Sequence, residues 1–183
     1  MMDDVTIDDF MSGAIKVAQP KSGYRAGIDP ILLAASIPAK SGQTVLELGC
    51  GVGTASLALS HRVTDLKITG VEVQERYAEL ARHNADLNNL PLSVVRADLA
   101  ALPSEIRDQQ FDHVFANPPY FDRGSSTRSD DGGRDRAMGE SDELEIIPGA
   151  KEAIADLRKL GYRIAITTNQ SAIMRGHWGE ETL

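Results

Sequence analysis

Four short runs rich in β-branched or aromatic residues punctuate the chain at Thr44 to Leu48, Lys67 to Glu72, Leu92 to Arg96 and Phe111 to Ala116, each opening onto glycine or polar residues. Apolar runs of this length, bounded by turn residues, predict strands buried within a parallel sheet. Between the first two runs Thr54 to Ser60 predicts a helix. Between the next two, Gln74 to Leu87 places Tyr77, Leu80, Ala81, Asn84 and Leu87 near helical spacing. The series is β-α-β-α-β, which predicts an α/β fold with a mostly parallel sheet and helices on both faces. Ligands of such sheets bind beyond the carboxyl ends of the strands.

The pattern changes after Asn117. From Asp122 to Glu140 the chain is glycine, serine, aspartate and arginine with almost no apolar residue, which predicts a loop or disordered segment. Pro148 then opens a helix predicted over Gly149 to Leu160, Gly161 stops it, and Tyr162 to Thr168 predicts a fifth strand. The sheet is therefore expected to hold about five strands. No further strand is expected before Leu183, and the exposed sheet edge that this leaves favours a homodimer.

Composition narrows the class. With 42% hydrophobic and 25% charged residues, and no apolar run near the roughly 20 residues of a membrane span, a soluble protein is expected. The acidic start, Met1-Met2-Asp3-Asp4, lacks the basic flank and apolar stretch of a secretory signal, so a cytoplasmic location is expected. A single cysteine, Cys50, excludes an internal disulfide and has no companions for a metal site, so it reads as a small residue filling a tight turn. The net charge of -8 argues against a broad phosphate-binding surface, and any nucleic-acid substrate must be gripped locally. Arg123, Arg128, Arg134 and Arg136 cluster, but acids interleave with them.

Two motifs carry the chemistry. Glu47-Leu48-Gly49-Cys50-Gly51-Val52-Gly53 ends the first strand and opens a helix, with Gly49, Gly51 and Gly53 leaving backbone N–H groups approachable. Glu72 stands at the tip of the next strand, where a carboxylate can accept both hydroxyls of a ribose, and Asp98 ends the one after, where it can accept from an adenine amino group. The second motif is Asn117-Pro118-Pro119-Tyr120. An exocyclic amine on a ring is a poor nucleophile because its lone pair is delocalised. The Asn117 side-chain carbonyl and the Pro118 backbone carbonyl can hold its two protons, Pro118 and Pro119 stiffen the backbone that aims them, and Tyr120 can stack on an unstacked base. Neither a metal nor a covalent enzyme intermediate is required.

These residues resemble the class I S-adenosylmethionine-dependent methyltransferases, with their Rossmann-like sheet. The resemblance implies S-adenosyl-L-methionine as cofactor, a Gly-rich turn at its methionine part with Glu47 beneath, and Glu72 on its ribose. Gln19-Pro20 and Gly23-Tyr24-Arg25-Ala26-Gly27-Ile28-Asp29-Pro30-Ile31-Leu32-Leu33-Ala34, with Asn-Pro-Pro-Tyr-Phe, are similar to bacterial tRNA(Val) adenine-N(6) methyltransferases over about residues 9 to 140. By that resemblance Tyr24, Arg25 and Asp29 close over the cofactor and tRNA is the substrate. The glutamine methyltransferases of release factors share Asn-Pro-Pro-Tyr, since a side-chain amide presents similar protons. A non-catalytic binding or scaffold module is a further alternative. The segment before the first strand also reads as an N-terminal helix capping the sheet.

From Leu144 onward the chain resembles another family, the haloacid-dehalogenase-type heptose-bisphosphate and histidinol-phosphate phosphatases, through Pro148-Gly149, Lys151 to Gly161, and Tyr162 to Ser171 with Arg175-Gly176. There Thr168 would bind phosphate while Asn169, Gln170 and Arg175 line the substrate side. Those enzymes need an Asp-x-Asp nucleophile, which this sequence lacks, so phosphatase activity is not expected. A methyltransferase core over 1 to 140, joined to a phosphatase-like fragment over 141 to 183, is the expected organisation. The fragment's helix and strand are expected to complete the same sheet.

Overall fold

The computed structural model describes residues 4–117 and 150–161. The chain divides into two compact units, Met1–Pro119 and Tyr120–Leu183. The expected join near residue 140, the predicted loop 122–140 and the predicted strand Tyr162 to Thr168 lie outside the described residues.

In the first unit, β1 (Val5–Phe10) and β2 (Ile15–Pro20) form an antiparallel hairpin, Val5 opposite Pro20 and Phe10 opposite Ile15. This hairpin was not expected from the sequence. The expected capping helix follows it as α1 (Asp29–Ser36), whose Pro30 at the first turn suits the fixed φ of proline. Then come β3 (Thr44–Leu48), α2 (Thr54–Arg62), β4 (Lys67–Glu72), α3 (Glu75–Asn88), β5 (Ser93–Arg96), α4 (Ser104–Arg107) and β6 (His113–Ala116). The second unit contributes α5 (Ala150–Lys159), which coincides with the predicted helix.

The four later strands form one parallel sheet in the order β5-β4-β3-β6. The α/β architecture inferred from the alternation is thus present, and its predicted strands agree with the observed ones within two residues. Alternation sorts the side chains to two faces. Val45, Ile68 and Phe115 pack on one face with Leu33 and Ala34 of α1, Ala55, Leu57, Ala58 and Leu59 of α2, and Leu80 and Ala85 of α3. Leu46 and Val71 face the other side, where Ile106 of the short α4 covers them. Every residue of α2 from Thr54 to Ser60 is buried, so its small residues Ala55, Ser56, Ala58 and Ser60 let it lie close to its neighbours. No described helix is long and apolar enough to cross a membrane.

The hairpin is welded to the sheet unit by amides. Asn84 and Asn88 stand one turn apart on α3 and so project on one face. Asn84 accepts from the Ala18 N–H (2.7 Å) and donates to the Ala18 carbonyl and to the Val52 carbonyl (both 3.0 Å). Asn88 accepts from the Lys16 N–H (2.8 Å) and donates to the Lys16 carbonyl (2.7 Å). The free edge of β2 thereby satisfies its backbone groups against side chains instead of a further strand. Arg62, at the end of α2, donates to the Ala34 and Ile37 carbonyls and closes the last turn of α1.

Asn84 is fully buried, and its removal strands three backbone groups at once. Asn84→Ala is expected to destabilise the folded state by about 3 kcal/mol, read from urea denaturation. The Asn88→Ala variant, at a more exposed pair, should lose less.

Candidate functional site

The strand order reverses at β3: β4 and β5 lie to one side and β6 to the other. A crevice is expected at the carboxyl ends of β3 and β6 for that reason, and a cleft is found there. It holds about 280 Å3 of empty space including its open mouth, lined chiefly by Tyr24, Glu47, Gly49, Gly51, Thr54 and Asn117.

The floor is the turn 49–53. Gly49, Gly51 and Gly53 have φ of +70°, +54° and +84°, a left-handed conformation that costs glycine little. A Cβ at Gly49 or Gly51 would meet nothing within 4 Å, so the backbone there faces open space. At Gly53 the situation differs, because a Cβ would lie 3.0 Å from Leu92 Cδ2 and 3.4 Å from the Ala81 Cβ. The turn is pinned from outside. Gly51 donates its N–H to Glu72 Oε2 at 3.0 Å, Val52 accepts from Asn84, and Cys50 donates to the Val71 carbonyl at 2.9 Å. Cys50 fills the tight turn against Gly70, where a Cβ would sit 2.8 Å from its Sγ. Burial, with Glu47 and Glu72 nearby, holds the Cys50 thiol above its usual range, so it is not a reactive group.

Beneath the turn lies Glu47, only 2% exposed. Its Oε2 accepts from the Ser56 hydroxyl and, at 3.2 Å, from the Ser56 N–H. Burial dominates over these bonds and pushes its pKa up to about 8, with Glu72 adding a smaller push in the same direction. Glu47 is therefore largely protonated at neutral pH.

Over the mouth stands Tyr24. Its backbone is held by Tyr77 of α3, whose hydroxyl accepts from the Tyr24 N–H at 3.1 Å and donates to the Tyr24 carbonyl at 3.4 Å. Gly23 gives the Tyr77 hydroxyl room, since a Cβ there would lie 2.9 Å from it. Across the cleft Asn117 donates its Nδ2–H to the Tyr24 hydroxyl at 3.4 Å, which leaves its Oδ1 as an acceptor.

Of the residues expected at the site, Tyr24, Glu47, Gly49, Gly51 and Asn117 meet in this cleft. Gly53 stands behind the turn and starts α2. Glu72 is at the tip of β4 as expected, each carboxylate oxygen accepting one backbone N–H, from Gly51 and from Gln74. Arg25, Asp29 and Asp98 are not among the residues that line this cleft. Arg25 donates to the Thr6 hydroxyl, the Pro20 carbonyl and the Asp8 carboxylate, which ties its loop to the hairpin. Asp29 begins α1, and Asp98 is exposed and accepts from the Ala100 N–H at 2.9 Å. Pro118, Pro119 and Tyr120 are outside the described residues. Sequence reasoning missed Thr54 and Ser56, although a hydroxyl directly after the last glycine of the turn was a signal for the first. Among the described residues no cluster of histidine, cysteine or acids could hold a metal.

A family model, the methyltransferase small domain, matches residues 26–130, more than half of the 183 residues. The tRNA1(Val) (adenine(37)-N6)-methyltransferase of Cronobacter sakazakii is 33% identical over 111 residues, covering 59% of this chain and 45% of that protein. The chain spans about half the length of the curated relatives of this kind that it matches. A protein of Methanocaldococcus jannaschii, provisionally named a protein N5-glutamine methyltransferase, is 28% identical over 177 aligned residues, covering 84% of this chain and 87% of its own. Among solved structures, the Pyrococcus abyssi tRNA (uracil-54, C5)-methyltransferase in complex with S-adenosyl-L-homocysteine shares the fold at a TM-score of 0.50. It is 21% identical, covering 64% of this chain and 29% of that one. These relatives lend the phosphatase-like reading of the tail no support.

The buried carboxyl makes stability depend on pH. Between the ordinary carboxyl pKa of 4.5 and about 8, the folded chain keeps a proton on Glu47 that the unfolded chain releases. Stability from this group is thus complete below pH 4.5 and is lost as pH rises through 8, on the order of 5 kcal/mol over the window. Glu47→Gln keeps an uncharged group in place and is expected to flatten this fall in denaturation curves taken from pH 5 to 8.5.

Proposed function

The chain belongs to the methyltransferase small domain family, and on that premise we propose that its cleft binds S-adenosyl-L-methionine and serves methyl transfer to an exocyclic amino nitrogen, adenine N6 of a tRNA. One observation carries the proposal. A glycine turn with open space above Gly49 and Gly51, a buried acid beneath it and the acceptor Asn117 converge on one cleft at the point where the strand order reverses. The cofactor fits what is there, since the cleft also contains a buried hydroxyl with no partner, that of Thr54.

Bound in the cleft, the cofactor supplies an electrophilic methyl carbon on a sulfonium. The chain's own residues do the rest. The turn 49–53 would let the cofactor approach the bare backbone at Gly49 and Gly51, Glu72 would accept from the ribose hydroxyls with the lone pairs its two backbone bonds leave, and Asp98 would accept from the adenine amino group. Tyr24 closes over the mouth, with Arg25 and Asp29 in the segment that holds it. Asn117 Oδ1, left as an acceptor by the bond its Nδ2 makes to Tyr24, would accept a hydrogen bond from one amino N–H of the substrate. By the sequence motif, the Pro118 carbonyl would accept a hydrogen bond from the other amino N–H, with Pro119 stiffening the backbone and Tyr120 stacking on the base. Held this way, the amino lone pair would turn out of conjugation toward the methyl carbon; as the nitrogen–carbon bond formed the carbon–sulfur bond would break to leave a neutral thioether, and the proton of the alkylated nitrogen would pass to water.

Glutamine amide methylation is the second reading, favoured by the near-complete coverage of the Methanocaldococcus jannaschii relative. Labelled cofactor, offered together with tRNA lacking the modification and with a glutamine-bearing release factor, separates the two. Label is expected on adenine N6, with Asn117→Ala slowing transfer about 100-fold or more. Label on the glutamine amide would select the second reading, and no label on either would overturn the transfer proposal.

A further inference from the structure

Asn117 is the first residue after β6, and because Ala116 stands opposite Leu48 in the register, it emerges beside the start of the glycine turn. Its side chain ends in an acceptor oxygen and a donor nitrogen of nearly equal size, on a torsion whose wells are broad. Only the oxygen can accept from an amine. A half-turn of the amide would set donor against donor, so the use of Asn117 as an acceptor depends on what decides which way its amide faces.

That choice is made from across the cleft. The Tyr24 hydroxyl, 93 residues away in sequence, accepts from Asn117 Nδ2 at 3.4 Å. With an amine on the other side, one arrangement satisfies all three groups: Nδ2 donates to the phenol oxygen and Oδ1 accepts from the amine. Donation from Nδ2 also polarises the amide and makes Oδ1 the stronger acceptor. Bonds of this kind are often long before a substrate excludes water, and they tighten in the complex.

A phenol can set the amide only if its own root is fixed. Tyr24 is 44% exposed, so packing alone does not hold its ring. Its backbone is gripped instead: the Tyr77 hydroxyl accepts from the Tyr24 N–H at 3.1 Å and donates to the Tyr24 carbonyl at 3.4 Å. Gly23 permits this grip, since it has a φ of +100° and a Cβ there would crowd the same hydroxyl. Tyr77 packs against the core from α3, the helix that also carries Asn84 to the Val52 carbonyl. One helix therefore anchors both the glycine turn and the root of Tyr24.

We propose that Tyr24 is a positioning residue for methyl transfer: its hydroxyl holds the Asn117 amide with Oδ1 toward the substrate amine, and Tyr77 acts through it by gripping its backbone. This rests on the transfer reading above and adds to it the residue that aims the acceptor.

Steady-state transfer from labelled cofactor by the full chain, together with calorimetric titration of S-adenosylhomocysteine, tests the role. Tyr24→Phe keeps the ring and deletes the oxygen; it is expected to lower kcat about 10-fold at unchanged substrate KM and unchanged S-adenosylhomocysteine affinity. Tyr77→Phe should lower kcat about threefold, and the double variant should be no slower than Tyr24→Phe alone, because the two act in series. An unchanged kcat in Tyr24→Phe, or a fall matched by lost S-adenosylhomocysteine affinity, would overturn the positioning role, and losses that multiply in the double variant would overturn the link through Tyr77. A readout independent of turnover is the side-chain amide signal of Asn117 in the 15N-asparagine-labelled chain, identified by its absence in Asn117→Ala. It should move in Tyr24→Phe, and a signal that stays in place contradicts the contact. If the original protein labels neither tRNA nor a glutamine amide, the transfer reading itself fails and the positioning role falls with it.

Discussion

The turn from Gly49 to Gly53 is the constraint on which the site depends. Three left-handed residues in five cannot hold their shape by local preference alone, because glycine loses more conformational freedom on folding than any other residue. The shape is imposed from outside by side chains of separate elements: Glu72 from the tip of β4, Asn84 from α3, and the packing of Leu92 and Ala81 against Gly53. At Gly49 and Gly51 these contacts leave the backbone facing open space.

The N-terminal hairpin gains its meaning from the same turn. Asn84 bonds both β2 and the Val52 carbonyl, so one buried amide sets the hairpin and the glycine turn in a single frame. The loop leaving the hairpin is tied back twice, by Arg25 onto Asp8, Thr6 and Pro20, and by Tyr77 onto Tyr24. Gln19, buried at the end of β2, accepts from the Ala26 N–H at 2.7 Å and adds a third tie. Tyr24 reaches the cleft because its loop is held at its root, and its hydroxyl then meets Asn117 from the far side of the sheet's reversal point.

Much of this was legible in the chain. The strands β3 and β4 follow apolar runs that end at glycine or polar residues, and buried parallel strands leave that trace because both faces need apolar side chains. The glycine spacing also marked the turn that floors the cleft, since glycines placed this closely after a strand predict a tight turn with exposed backbone. The hairpin was not legible: Asp8, Asp9, Lys16 and Gln19 interrupt its pattern, and its stability comes from Asn84 and Asn88, more than sixty residues away in sequence. Arg25 illustrates the same limit, since its partners Thr6 and Asp8 lie across the hairpin, where neither spacing nor composition points. The protonated state of Glu47 depends on burial beneath α2, which only the packed structure supplies.

The proposed chemistry rests on neutrality and placement. A cleft with a protonated acid, backbone donors and an acceptor amide carries little net charge of its own, which suits a reaction whose electrophile arrives already positive and whose nucleophile is a neutral amine. The most direct measurement is a crystal structure of the chain grown with S-adenosylhomocysteine. The account predicts density for the amino-acid arm along the turn 49–53, the ribose at Glu72 and the sulfur facing Asn117. Density elsewhere on the protein, with this cleft holding only solvent at saturating ligand, would contradict it.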